Sequence, residues 1–370
     1  MPTNLAIIST NRFQYSETFI HSHIQYLPAQ ITLYSEGYLP IEVSHDKGSS
    51  FLPIPKSKGL LFKKTSHESN LKASLKENNI TAVLAEYGPS GVALFPICKA
   101  LKIPLIVHFH GYDAYRDDVL QTYGQKYKEL FALAQAFVCV SKNMEDQLLG
   151  LGCPREKLHL IHYGIDPLLF QPSAKIERRF GQFISCGRFV AKKSPFSTIR
   201  AFNLVQEKYP ESRLTMIGGG ELLDECKELC SKLGLIEKVE FAGILSQTEI
   251  IKHYQTAFAF LQHSIRTSNN DSEGAPLSIM EASAAGLPVV STFHAGIPEI
   301  IADSVTGFLV NENDIEAMAQ KMIRLLEDPK KARSIGKMGQ DKIMKEFHRD
   351  GYICKLKDLI EKTIVQHGNF

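Results

Sequence analysis

Short apolar runs recur along the chain, separated by longer segments in which apolar residues keep a helical spacing. LAIIST (5–10) is compact and apolar enough for a buried parallel strand. Ser16 then offers an N-capping hydroxyl, and Phe19, Ile20, Ile24 and Leu27 follow at helical intervals. AVLAE (82–86), PLIVHF (104–109) and AFVCVS (136–141) read as further strands with helical patterns between them. Near residue 170 the rhythm breaks: YGIDPLLFQPSAKIERRFG carries two Pro, a charge cluster and no clean period. A second series runs through QFISCG (182–187), RLTMIGGG (213–220), KVEFAG (238–243), AFAFLQ (257–262) and LPVVST (287–292), and from 314 the chain is largely helical. The βαβα order in both halves predicts an α/β protein of two Rossmann-like domains, residues 1–172 and 173–346, whose strand ends face across a cleft. Ligands of open α/β sheets bind at the carboxyl ends of the strands, so the chemistry should lie just after them.

Composition narrows the picture modestly. The 370 residues are 44% hydrophobic and 22% charged, with a formal net charge of +2, which excludes the strongly basic field of a dedicated nucleic-acid binder. No stretch is long and apolar enough to span a bilayer. MPTNLAIISTNRF lacks a charged leader and reads as a first strand, not a signal peptide. The seven Cys show neither zinc nor redox spacing and suit a reducing cytoplasm.

The richest segment is SEGAPLSIMEASAAGLPVVST (272–292). Pro276 suits the first position of a helix, Gly286 its end, and a β-branched strand follows. The helix start would offer the amides of Leu277 and Ser278, the Ser278 hydroxyl and the Ala275 backbone to a diphosphate. Glu273 before the helix would accept hydrogen bonds from the transferred sugar, and Glu281 within it from a ribose. In CGRFVAKKSP (186–195), Arg188 and Lys193 straddle a strand-to-helix turn, where two fixed cations would stabilise a departing nucleoside diphosphate. In IGGGE (217–221), Gly218 and Gly219 would let backbone approach a ligand; a plain tight turn explains them as well.

In the first half, His110 and Asp113 of HFHGYDAYR should face the cleft, although a satisfied structural histidine is the commoner fate. Glu86 ends another strand, and Ser16 and Glu17 open a helix that would touch donor phosphates or acceptor. The chain has no Asp-x-Asp, so cationic side chains and a helix dipole would replace a Mg²⁺ or Mn²⁺ clamp, and neither metal nor cofactor is expected. PIPKSKGLLFKKTSHESNLKASLK (53–76) groups Lys56, Lys58, Lys63, Lys64, Lys72 and Lys76 around Leu60, Leu61 and Phe62. That mixture suits peripheral contact with an anionic membrane, or else a solvated helix whose apolar residues pack inward.

Taken together, SCGRFVAKKSP, EGAPLSIMEASAAGLPVVSTFHAGIPEII and TGFLV resemble the retaining GT-B glycosyltransferases of family four, which build bacterial surface polysaccharides and glycolipids. The resemblance implies a nucleotide-sugar donor, by default UDP-linked, and a glycan or lipid-linked acceptor. It places Glu273 and His110 at the donor sugar, Glu281 at the ribose, and Arg188 and Lys193 at the diphosphate. It also implies front-face retaining transfer and a last helix, about residues 347–370, that returns to the first domain. QYSETFI stands where many members carry a Gly-Gly pair, a wording similar to colanic-acid and other exopolysaccharide transferases. Two rival readings are a silent nucleotide-sugar-binding subunit and a sugar-phosphate synthase or epimerase of the same fold.

Overall fold

The computed structural model describes residues 3–12, 17–45, 48–52, 60–171 and 177–368, with backbone alone at 45, 48, 49 and 60–66. The chain divides into one unit of Met1–His162 with Tyr352–Phe370, and a second of Tyr163–Gly351.

The first unit runs β1 (Asn4–Ile8), α1 (Thr18–Tyr26), β2 (Gln30–Ser35), β3 (Glu42–His45), β4 (Gly48–Phe51), α2 (Leu60–Glu77), β5 (Ala82–Glu86), α3 (Gly88–Leu101), β6 (Leu105–His108), α4 (Tyr112–Tyr115), α5 (Asp117–Leu133), β7 (Ala136–Cys139), α6 (Lys142–Gly150) and β8 (Leu158–Leu160). Its sheet has the order β4-β3-β2-β1-β5-β6-β7-β8; β3 is antiparallel to both β2 and β4, and the neighbours in the run β2-β1-β5-β6-β7-β8 are parallel. Leu5–Ile8 of β1 and Ala82–Ala85 of β5 are wholly buried. Such continuous apolar runs are what a sheet covered on both faces demands.

The second unit contains β9 (Gln182–Cys186), α7 (Pro195–Lys208), β10 (Arg213–Ile217), α8 (Leu223–Lys232), β11 (Val239–Gly243), α9 (Gln247–Thr256), β12 (Ala259–Leu261), α10 (Leu277–Ala284), β13 (Val289–Thr292), α11 (Ile297–Ile300), β14 (Gly307–Val310), α12 (Ile315–Glu327) and α13 (Pro329–Glu346). The last helix, α14 (Arg349–Gly368), crosses the division between the units. The sheet is all parallel in the order β11-β10-β9-β12-β13-β14. Phe183, Phe202, Leu214, Met216, Leu261, Val290 and Met318 are among the side chains that fill its core.

The division falls elsewhere than the Pro-rich break at 170 suggests. Ile165 donates its N–H to Phe347 O (3.0 Å) and accepts from Arg349 N–H (2.7 Å), and Arg349 pairs with Asp166 at 3.2 Å. A Cβ on Gly164 would lie 2.6 Å from His348 O, so glycine permits this contact. These bonds tie residues 164–166 to the end of the second unit. Pro276 is the residue before α10 and not its first helical residue, with ψ at 115°. Ser16 lies outside the described residues, as do Lys56 and Lys58 of the basic segment and the side chains of Lys63 and Lys64. Among the described residues no helix is long and apolar enough to cross a membrane.

Candidate functional site

Strand order in the second sheet reverses once, between β9 and β12. Such a reversal splays the loops after the two strands and opens a crevice. A small pocket lies there, lined by Cys186, Gly187, Arg188, Lys193 and Gln262 among others. Arg188 follows β9 and makes no ion pair among the described residues, so its guanidinium charge is unspent. Lys193 pairs with Glu273 Oε1 at 3.1 Å. Burial pushes the Lys193 ammonium down, and Glu273 opposes that. For Glu273, burial pushes up, but the charges of Lys193 and Lys192 outweigh it and hold the carboxyl below its ordinary range.

Glu281 contrasts with it. No hydrogen bond or ion pair involves its carboxyl among the described residues, and burial pushes the group up to about 7. It faces Cys186 at the end of β9: burial first, and then the Glu281 charge, push that thiol up to about 12. A half-buried carboxyl with no protein partner among the described residues, like the unpaired guanidinium of Arg188 nearer the crevice, is free to take a polar ligand. Leu277 and Ser278 form the first turn of α10, where backbone amides lack helical partners. The Ser278 hydroxyl already donates to Gln262 Oε1 at 2.9 Å, and Ala275 is buried beside the turn.

Packing constrains the first of the two glycines. Gly218 (φ +132°) lies so close to the loop after β9 that a Cβ would sit 2.1 Å from Gly187 O. The requirement is the packing of two strand-end loops against each other. At Gly219 a Cβ would meet Ile244 at 3.2 Å.

In the first unit the strand order reverses between β1 and β5. Glu86 ends β5 there and is wholly buried. Its Oε1 hydrogen-bonds His23 Nδ1 at 2.6 Å and its Oε2 hydrogen-bonds His110 Nε2 at 2.7 Å. The other His23 nitrogen hydrogen-bonds the Tyr352 hydroxyl of α14. Burial alone would push the Glu86 carboxyl up; the charge on His23 and the hydrogen bonds from His110 and His23 instead hold it far below its ordinary range. Burial, then the charge of His110, pushes His108 well down. His23, Glu86 and His108 bring ligand atoms within 4.8 Å of one another, a grouping also found around metal ions, but imidazoles already occupy both oxygens of Glu86.

Two expectations for this unit therefore change. Asp113 does not face a ligand: it is wholly buried and accepts from the backbone N–H groups of Gly88, His110 and Gly111 at 2.9–3.0 Å. Glu86 is enclosed by histidines and does not reach outward. His110 stacks on Phe19 with ring centroids 4.3 Å apart, and its side chain is 3% exposed. Glu17 accepts from the Tyr87 hydroxyl at 2.7 Å and precedes α1 without capping it. His23, Tyr352, Gln262 and His294 went unnoticed in the sequence; isolated histidines and a lone Gln carry no spacing signal.

The family model for glycosyl transferases group 1 matches residues 170–342, and that for glycosyltransferase family 4 matches residues 16–168. The amylovoran biosynthesis glycosyltransferase AmsK of Erwinia amylovora is 30% identical over 267 residues, 71% of this chain and 65% of that protein. The putative colanic acid biosynthesis glycosyltransferase WcaL of Escherichia coli K12 is 29% identical over 282 residues, 75% of this chain and 70% of its own length. The chain thus matches about two thirds of these relatives. Among solved structures, sucrose-phosphate synthase of Thermosynechococcus elongatus superposes with a TM-score of 0.81 at 17% identity, over 98% of this chain and all of that one. Anabaena HepE in complex with UDP and glucose does so with a TM-score of 0.80 at 16% identity, over 98% and 100%. With both halves matched in tandem and two Rossmann-like units observed, this chain belongs to the family-four type of GT-B glycosyltransferases.

Proposed function

We propose that this protein transfers a sugar, with retention of configuration, from a nucleoside-diphosphate donor to a glycan or lipid-linked acceptor in surface polysaccharide or glycolipid synthesis. The observation that carries the reading is the crevice at the reversal between β9 and β12, lined by an unpaired Arg188 and by Lys193, with the unpartnered Glu281 of α10 near Cys186 of its lining. The donor diphosphate lies against Arg188, Lys193 and the first amides of α10, which stabilise the charge that grows as the glycosidic bond breaks. Glu281 accepts from ribose hydroxyls, and UDP is the donor nucleotide. No metal is required, because two cations and the helix terminus supply the electrostatic stabilisation.

Glu273 positions the sugar and does not attack it. Its ion pair with Lys193 makes it a stabilised carboxylate held in place, and the acceptor proton leaves with the departing phosphate. The first unit holds the acceptor, and Glu86 fixes the orientation of its His110. The test is a donor screen by mass spectrometry with UDP- and GDP-sugars, reading release of nucleoside diphosphate and the anomeric configuration of the product. Binding of every donor without turnover, given an extract containing acceptors, would leave a silent binding subunit.

A further inference from the structure

His294, in the loop after β13, is 3% exposed and reaches the loop that carries Glu273. Its Nε2 lies 3.1 Å from the Glu273 backbone nitrogen and 3.1 Å from Ser272 Oγ. A backbone N–H can only donate, so Nε2 must hold a lone pair and the proton must sit on Nδ1. That Nδ1–H points at Glu312 Oε1, 2.6 Å away, and Glu312 Oε2 accepts the Arg266 N–H at 2.8 Å. The 272–274 loop is further tied by Gly296 N–H to Gly274 O (3.1 Å), by Lys192 to Ser272 O (3.2 Å) and by Lys192 to Asp271 (3.0 Å).

We propose that His294, oriented by Glu312, is a positioning residue that sets the donor-site loop through the Glu273 amide and does so only in its neutral Nδ1–H form. A second proton on Nε2 would face the Glu273 N–H donor to donor. Nε2–H would then turn to Ser272 Oγ, and the Glu273 amide would be left buried without its acceptor. The charged groups facing the ring are Glu312 after β14 and Glu273 before α10, with Lys192 and Lys193 behind Glu273 from the turn before α7. A doubly protonated ring would therefore release the loop. The inference rests on the reading of Glu273 as a donor-sugar group.

The test measures release of nucleoside diphosphate from whichever of UDP-glucose, UDP-galactose, UDP-N-acetylglucosamine and GDP-mannose turns over fastest, across pH 5–8. His294→Gln places a non-titrating acceptor near the Nε2 position; His294→Asn keeps only the shorter contact toward Glu312. We expect His294→Asn to lose roughly tenfold or more in kcat while UDP affinity, measured separately, stays unchanged. His294→Gln should stay within about threefold of wild type at pH 8 and lose less activity than wild type toward pH 5. Equal loss in both variants with an unaltered pH profile would reduce His294 to packing and overturn the proposal, as would wild-type activity in His294→Asn. Thermal melts of both variants show whether a loss reflects unfolding, and where Asn fails to fold, the acid limb of the Gln variant decides. Glu273→Gln is run alongside: full activity there would refute the underlying reading of Glu273, whereas its collapse with silent His294 variants would refute this inference alone.

Discussion

Each unit reverses its strand order once and places a glutamate beside that reversal, yet the two carboxyls live in opposite circumstances. Glu86 in the first unit is enclosed by two imidazoles, and its charge is compensated inside the fold. Glu281 in the second has no such partner and is pushed up to about 7 by burial. The difference teaches that a carboxylate at a ligand-prone strand end marks a ligand site only where the fold leaves it unsatisfied. Polar groups that neutralise one another have been spent on stability, whereas those left unpaired cost stability until a ligand arrives.

The largest expected effect belongs to the satisfied site. Glu86→Ala leaves two buried imidazoles without their carboxylate and should cost about 3–5 kcal/mol in denaturant unfolding. Nucleotide affinity in the folded fraction should be unchanged; a loss of affinity with intact stability would erase the contrast. Next comes the electrostatic pair at the second site. Arg188→Ala or Lys193→Ala should lower turnover by roughly 100-fold, since these charges matter most as the diphosphate departs. A higher KM at wild-type kcat would make them binding groups only.

Much of this contrast was invisible in the sequence. Strands β1, β5, β6, β7 and β9 to β13 were legible because buried parallel strands are short apolar runs. β3 and β4, as EVSH and GSSF, are polar and lie at the end of the sheet where β4 is the edge, so they lack the apolar run of a buried strand. Arg188, Lys193, Glu273 and Glu281 stand out in the sequence because each lies in a strand-turn-helix segment, and of these the structure brings Lys193 and Glu273 into direct contact. The enclosure of Glu86 was not, because His23, His110 and Tyr352 come from three distant parts of the chain and nothing in their local pattern joins them. Asp113 looked outward in the sequence for the same reason: its backbone partners appear only once the loops close.

A smaller effect tests the cost of the unsatisfied carboxyl. Glu281 takes up a proton on folding in the window from its unfolded value near 4.3 up to about 7. The folded state then binds more protons than the unfolded state, so this group makes stability fall as pH rises through that window and level off above it. Glu281→Gln should remove that slope and raise the melting temperature at pH 8 by a few degrees. An unchanged melting curve would mean that the carboxyl is solvated. The smallest expected effect is that of EDTA, which should leave turnover unaltered; abolition with rescue by Mg²⁺ or Mn²⁺ would show that Arg188, Lys193 and the helix terminus do not suffice.

The most direct test of the central claim, that the second unit's reversal is the nucleotide site, is calorimetric titration of UDP into wild type and Glu281→Gln between pH 5.5 and 8. Ribose hydroxyls favour the ionised carboxylate, so wild-type affinity should rise with pH up to about 7 and then level, with protons released on binding below that point. Glu281→Gln should bind more weakly by about 1.5–3 kcal/mol at pH 8 and lose this rise. Equal affinity of the two proteins at every pH would contradict the account.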